Sequence, residues 1–391
     1  PEYDIQPIVY IPENPSYPIT DLSLQSEVSK DVIIIKQPIK EPYRLAEFLS
    51  KNHSKTISSG VIPKEKKQNF IQRLMLYVRG NYFIPDARKA WITPSVKFLS
   101  DYIKEEQIET IITTGPPHSL HLIGLKLKQQ IGVKWLADFR DPWTTIGYHK
   151  KLKLTNRSAK KHEQMERDVL SSADHIIVTS ENTKKEFGDK TNQSIKVITN
   201  GYDTYHLPKA IKDDKFTISH IGSLLSERNP KLLWQVLNEL IAENEAFNHS
   251  FQLKLIGVVS DDVLNEIEQY ISNSHINVVG YVGHNEALMA QRASQLLLLV
   301  EIDSEDTKAI IPGKLFEYMV SDTPILAIGP RDSDVERIIA ETNTGSYFYY
   351  DATSELKSQI LTYFEAYKNN ALATQPIGLQ PYSQKALTKT L

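Results

Sequence analysis

The chain has 391 residues, of which 24% are charged and 40% hydrophobic, and its formal net charge is −3. That length calls for more than one core, the composition is ordinary for a globular protein, and the charge gives no reason to expect a nucleic-acid partner. The absence of cysteine excludes disulfides, thiolate metal sites and cysteine nucleophiles and fits a reducing compartment. No apolar run reaches the length of a membrane-spanning helix.

The sequence opens on the strand-like run "PEYDIQPIVYIP" with no element before it, so a further N-terminal piece is expected to precede Pro1. Strand-like runs follow as "VIIIK" (32–36), "TIITT" (110–114), "VKWLAD" (133–138), "HIIVTS" (175–180) and "IKVIT" (195–199). A second series comprises "FTISHIG" (216–222), "FQLKLIG" (251–257), "INVVG" (276–280), "QLLLLV" (295–300) and "PILAIG" (324–329). Several are apolar throughout, as parallel strands covered on both faces are. Amphipathic stretches such as 229–244, 260–273 and 331–342 lie between them, which makes strand–helix–strand the repeating unit. "TNGYDTYHLPKAIKDDK" (199–215) combines Gly, Pro and charge and reads as the linker. The expectation is an α/β protein of two doubly wound, Rossmann-like domains facing a cleft, with a boundary at 206/207. Ligands of such sheets bind beyond the carboxyl ends of the strands, so residues just after strands are the candidates.

In "HIGSLLSERNP" (220–230) a strand ends at Gly222-Ser223, a loop carries Arg228, and a helix follows, capped by Asn229 with Pro230 in its first turn. Free N–H groups at a glycine turn and a nearby guanidinium suit a pyrophosphate; a plain turn with a solvated arginine is the alternative. In "IIPGKLFEYM" (310–319), Gly313 permits close approach of a ligand and Lys314 adds a point charge at a helix start. Glu317, one turn on, can accept from ribose hydroxyls; the alternative is an i,i+3 Lys–Glu pair of about 0.2–0.5 kcal/mol. "TTGPPHSLHLIG" (113–124) brings His118 and His121 to a strand end, where an imidazole can touch a sugar or carry a proton. No third ligand stands at zinc spacing. "ADFRDPW" (137–143) places Asp138 and Arg140 on one face and starts a turn at Asp141. Asp332 and Asp334 look like a metal-binding acidic pair, but N-capping and the helix dipole account for them. In "KQNFIQRLMLYVRG" (67–80), Phe70, Ile71, Leu74, Tyr77 and Val78 form an apolar stripe rimmed by Lys64, Lys66, Lys67, Arg73 and Arg79. That pattern suits either a core-facing helix or an anionic membrane interface.

Five of these stretches in this order, "TTGPPHSLHLIGLKLK", "ADFRDPW", "VITNGYD", "HIGSL" and "IPGKLFEYM…TPILAIGP", make the chain resemble the family 4-like glycosyltransferases of the GT-B fold. The resemblance spans nearly the whole chain. It implies a cytoplasmic bacterial enzyme, peripheral at the inner membrane, that moves a sugar from a nucleotide-sugar donor to a glycan or lipid-linked acceptor in polysaccharide biosynthesis. It implies an acceptor domain at 1–206, a donor domain at 207–375 and a final helix, 376–391, that crosses back to the first domain. By the same resemblance Gly222, Ser223, Arg228, Gly313 and Lys314 hold the diphosphate of a UDP- or GDP-linked sugar and Glu317 takes the ribose. The backbone at Tyr281-Val282 reads the base, while His118, His121 and the Asp138–Asp141 loop face the transferred sugar. No further cofactor, metal or nucleic acid is implied, and retention of anomeric configuration is. Two departures stand out. Ala309 occupies the position eight before Glu317, where many members carry a second, sugar-facing glutamate. The family's first strand and glycine-rich loop have no counterpart before Pro1. A nucleotide-sugar epimerase of the same fold, or a non-catalytic nucleotide-sugar-binding subunit, fits the same motifs.

Overall fold

The computed structural model describes residues 3, 5–16, 28–41, 70–203 and 210–391. The chain divides into two compact units, 1–179 with 183–197 and 180–182 with 198–391. The three lysines at 64, 66 and 67 lie outside the described residues, as does part of the expected linker.

In the first unit, strands β1 (Ile8–Glu13) and β2 (Ile33–Pro38) pair in parallel. A separate parallel sheet holds β3 (Thr110–Gly115), β4 (Lys134–Phe139), β5 (His175–Val178) and β6 (Ser194–Val197) in that spatial order. Helices Ile92–Glu105, Ser119–Ile131 and Asn156–Ser172 supply the intervening turns of chain. Trp91, Trp135, Phe139, Trp143 and Phe187 fill its core. Tyr10 ties β1 to this core by stacking on Trp91 at 4.8 Å and donating to Ser95 Oγ at 2.9 Å.

The second unit has one six-stranded parallel sheet. Its strands are β7 (Phe216–Ile221), β8 (Phe251–Ile256), β9 (Ile276–Gly280), β10 (Leu296–Val300), β11 (Ile325–Gly329) and β12 (Gly345–Tyr349). Their spatial order is β12-β11-β10-β7-β8-β9, so the winding reverses between β7 and β10. That is the doubly wound order, and the reversal is its topological switch point. The uniform apolarity of "LLLLV" has a direct cause. Leu296, Leu298 and Val300 pack into one apolar layer with Phe216 and Phe364, while Leu297 and Leu299 pack into the other with Phe316 and Met319.

Strand β12 was not apparent from the periodicity, because "GSYFY" is short and opens on glycine. The helix expected to be capped by Asn229 runs Lys231–Glu243 with Pro230 at the cap position and no side-chain cap. Asn229 instead accepts from Trp234 Nε1 at 2.7 Å and donates to Glu266 at 2.6 Å, pinning the loop to two helices. The acidic pair behaves as a helix start: Ser333 caps the helix Asp334–Thr342, and buried Asp334 pairs with Arg337 at 3.1 Å. The final helix, Gln384–Thr390, follows a bridge between Ser383 and Tyr202, and both belong to the second unit.

Candidate functional site

The second unit assembles its site at the switch point. β7 ends at Gly222, whose φ of +114° is left-handed backbone that an L side chain rarely adopts. The next strand ends the same way at Gly257 (φ +112°), and the Gly222 N–H donates to Ile256 O at 2.7 Å. The Gly257 turn packs on the Gly222 backbone, and the Gly222 turn leaves open space at the end of β7 beside β10. Into that space the short helix Lys314–Met319 sends Lys314: a Cβ at Gly222 would stand 3.5 Å from its Nζ. Nζ donates to Ile221 O at 3.0 Å and lies 3.4 Å from His220 Nε2. Tyr318 OH fixes the same strand end, accepting from Ile221 N at 3.2 Å and donating to Ile221 O at 3.3 Å.

Arg228, at the end of a short 3-10 turn, raises the positive charge of this corner. Its Nε is buried with no hydrogen-bond partner among the described residues. Burial, then the Arg228 charge, bring the Lys314 pKa down to about 7, against the opposing pull of Glu317. Two basic groups are thus held near each other in a sheltered corner, with Glu317 acting on Lys314 and Glu301 on Arg228. Lys314 and Glu317 form no ion pair with each other among the described residues; Glu317 accepts instead from Gln291 Nε2 at 2.7 Å. Ser223 is exposed at the turn. Gly313 precedes the helix at φ −54° with nothing within 4 Å of where a Cβ would be. Tyr281 is exposed and Val282 half-buried, just past the turn at Gly280.

Three further residues complete this corner, His220 at the head of "HIGSL", Gly257 and Glu301. His220 and Gly257 lie inside ordinary strand patterns, and only three-dimensional pairing gives them a role. Glu301, directly after β10, is buried and accepts from Ser333 Oγ at 2.8 Å and Tyr347 OH at 2.7 Å. Burial pushes its pKa up to about 7, while those two hydrogen bonds and the Arg228 charge pull it down.

In the first unit His118 and His121 are both buried. His121 Nδ1 sits 2.9 Å from Thr113 Oγ1, which also accepts from Trp135 Nε1 at 2.8 Å. His118 stacks flat on Trp143 at 4.5 Å, and neither of its nitrogens has a partner among the described residues. His149 and His162 adjoin them, and Trp143 Nε1 donates to His162 Nδ1 at 3.2 Å. Asp138 and Asp141 have pKa values raised by burial and moderated by Arg140, with a Thr114 hydrogen bond also lowering that of Asp138. Arg140 is itself exposed.

This histidine cluster sets an acid limit on stability. Burial lowers His121 to about 3 and His162 to about 4. The folded rings therefore stay neutral while unfolded ones protonate below about 6.5. The unfolded chain binds more protons between about pH 4 and 6.5, and stability falls as pH drops through that window, each ring contributing up to about 1.4 kcal/mol per pH unit. Urea unfolding is expected to show a lower midpoint at pH 5 than at pH 7.5. Equal midpoints would contradict it.

A lysine and an arginine at the switch point of one parallel sheet, with a second parallel α/β unit in the chain, define the class: a GT-B fold. Residues 43–206 match the family model described as Glycosyltransferase Family 4. A glycosyltransferase from Rickettsia africae shares the fold at 12% identity, covering 94% of this chain and 84% of that one with a TM-score of 0.54. The lipopolysaccharide outer core galactosyltransferase WaaB does so at 14% identity, 92% and 83% coverage, and a TM-score of 0.53. Anabaena HepE, solved in complex with UDP, aligns at 13% identity over 76% of this chain and 78% of its own, with a TM-score of 0.54. No curated protein matches the sequence. Among the described residues no helix is long and apolar enough to cross a membrane.

Proposed function

We propose that this chain transfers a hexosyl group from a UDP- or GDP-linked sugar to a glycan or lipid-linked acceptor in bacterial cell-surface polysaccharide synthesis. The observation that carries the reading is the Lys314 ammonium set beside the Gly222 turn, with the buried Arg228 Nε near it unpartnered among the described residues. A diphosphate is the anion that such a corner fits: backbone at a glycine turn for close approach, a point charge and a planar guanidinium. The UDP held by HepE and the galactosyl transfer named for WaaB support the same reading from the shared fold.

During transfer the bond from the anomeric carbon to the β-phosphate oxygen breaks, and negative charge grows on the leaving diphosphate. Arg228 and Lys314 stabilise that charge with groups fixed before reaction, so the step needs no metal. Glu317, held by Gln291, takes the ribose hydroxyls, and the backbone at Tyr281-Val282 takes the base. The first unit takes the acceptor, with Asp141 as a polar group of its site. The reaction proceeds with retention. Leu74, Tyr77 and Val78, exposed on the helix Phe70–Tyr82, support a peripheral position on the cytoplasmic face of the inner membrane. Phe70 and Ile71, the rest of that stripe, have side chains outside the described residues.

The test is a thermal-shift series with UDP, GDP and their sugars, followed by assay of nucleotide release with and without glycan acceptors. The matching nucleotide at 100 times its Kd is expected to stabilise the protein by about 2.7 kcal/mol. Absence of any shift across the series would overturn the assignment.

A further inference from the structure

We infer that His220 is a positioning residue that holds the Lys314 ammonium at the diphosphate corner, acting as a fixed, neutral hydrogen-bond acceptor. The inference rests on the nucleotide reading above and adds to it a residue that touches no substrate.

The geometry assigns the protons. His220 lies on β7 and is fully buried. Its Nδ1 lies 3.2 Å from the carbonyl oxygen of Leu298 on the neighbouring β10. A carbonyl can only accept, so Nδ1 carries the proton and donates. A neutral imidazole with its proton on Nδ1 leaves a lone pair on Nε2, and that atom faces Lys314 Nζ at 3.4 Å. The strand-to-strand hydrogen bond across the switch point thus fixes the ring, and the ring presents an acceptor to the lysine.

Among the described residues Lys314 Nζ has two close acceptors, His220 Nε2 and Ile221 O, within a wider set of charges. From β7 come His220 and the Ile221 carbonyl; from the loop after β7 comes Arg228, which repels it. From its own helix come Glu317, which attracts it, and the Tyr318 ring, 6.0 Å from Nζ. Glu301 acts on Arg228 from the end of β10. His220 itself stays neutral: burial, then the Lys314 charge and, more weakly, Arg228, hold it well below the ordinary imidazole range, against the backbone hydrogen bonds of Leu298 and Ser223. An ammonium in such a corner depends on its acceptors. Removing Nε2 leaves Ile221 O as its one remaining close acceptor among the described residues, so the proton is lost at lower pH.

The variants separate positioning from mere packing. His220→Leu removes both links. His220→Asn keeps a donor to Leu298 but is too short for Lys314. His220→Gln restores an acceptor at the Nε2 position. In protein carrying ¹³C-lysine, the Cε resonance of Lys314, identified by its loss in Lys314→Arg, reports the ionisation of Nζ. The expected result is a titration midpoint about one pH unit lower in the Leu and Asn variants and close to wild type in the Gln variant. UDP or GDP affinity measured by calorimetry should fall about tenfold at pH 8 in the first two, with little change at pH 6. If Leu fails to fold, Asn against Gln decides. An unmoved midpoint, or an equal, pH-independent loss in Asn and Gln, would overturn the inference. Midpoints that move as expected in a protein that binds neither UDP nor GDP would uphold the His220–Lys314 link and sink the nucleotide assignment instead.

Discussion

Replacing Lys314 with alanine is expected to lower sugar transfer by about 10²- to 10³-fold while the protein stays folded. The size follows from what the ammonium does. In a corner with Arg228 and little water it meets charge that grows only as the leaving diphosphate departs, so its loss falls on the transition state more than on binding. The folded state has little to lose. Lys314 makes no ion pair among the described residues, and burial beside Arg228 already brings its pKa down to about 7. Holding the charge there therefore costs stability, and alanine is the better helix former. Melting should fall no more than a degree or two below wild type, with kcat reduced far more than donor affinity. Lys314→Arg is not expected to rescue, because a planar fork cannot occupy the space between Gly222 and His220 that a point charge fills. A variant that transfers sugar near the wild-type rate would remove Lys314 from the mechanism.

Much of this corner is legible in the sequence because it is written in adjacent residues. "HIGSL" shows a strand stopping at a glycine, and "PGKLFEY" shows a lysine and a glutamate one helical turn apart. The strand ends predicted at Gly222, Gly280 and Gly329 agree with β7, β9 and β11 to within a residue. What the sequence hides is pairing across elements. Glu317 looks like a partner for Lys314 because it is close along the chain, yet Gln291, 26 residues away, takes its carboxylate. His220 resembles any polar residue in a strand until β10 is laid beside β7. His118 and His121 stand where a ligand-facing pair is expected, yet both rings are buried against Trp143 and Phe139. Spacing places a side chain on an element; only packing decides whether it faces solvent.

A large loss of stability is expected from one methyl group at Gly257. Its φ of +112° already penalises an L side chain, at about 1–3 kcal/mol. A Cβ there would also meet the Gly222 carbonyl oxygen, with the Gly222 carbonyl carbon at 2.8 Å and Cα at 3.1 Å. These are backbone atoms, fixed by the hydrogen bonds Gly222 N–H to Ile256 O at 2.7 Å and Leu224 N–H to Val258 O at 2.8 Å. Rotamer changes cannot relieve the overlap, so one turn must move. Gly257→Ala should therefore cost about 3–5 kcal/mol, a fall of about 6–20 °C in melting temperature for a unit of this size. Below that temperature nucleotide affinity should drop as well, since any shift of Gly222 moves it relative to Lys314 Nζ. Gly313→Ala is the control. It lies beside the same lysine, but with φ −54° and nothing within 4 Å of the added carbon, it should melt within about a degree of wild type. If the Gly257 and Gly313 variants melted alike, the two glycine turns would not be in contact and the corner would need another support. A fall confined to Gly257, with nucleotide binding lost alongside, would show that the same backbone contact that closes the sheet also sets the place of the phosphate.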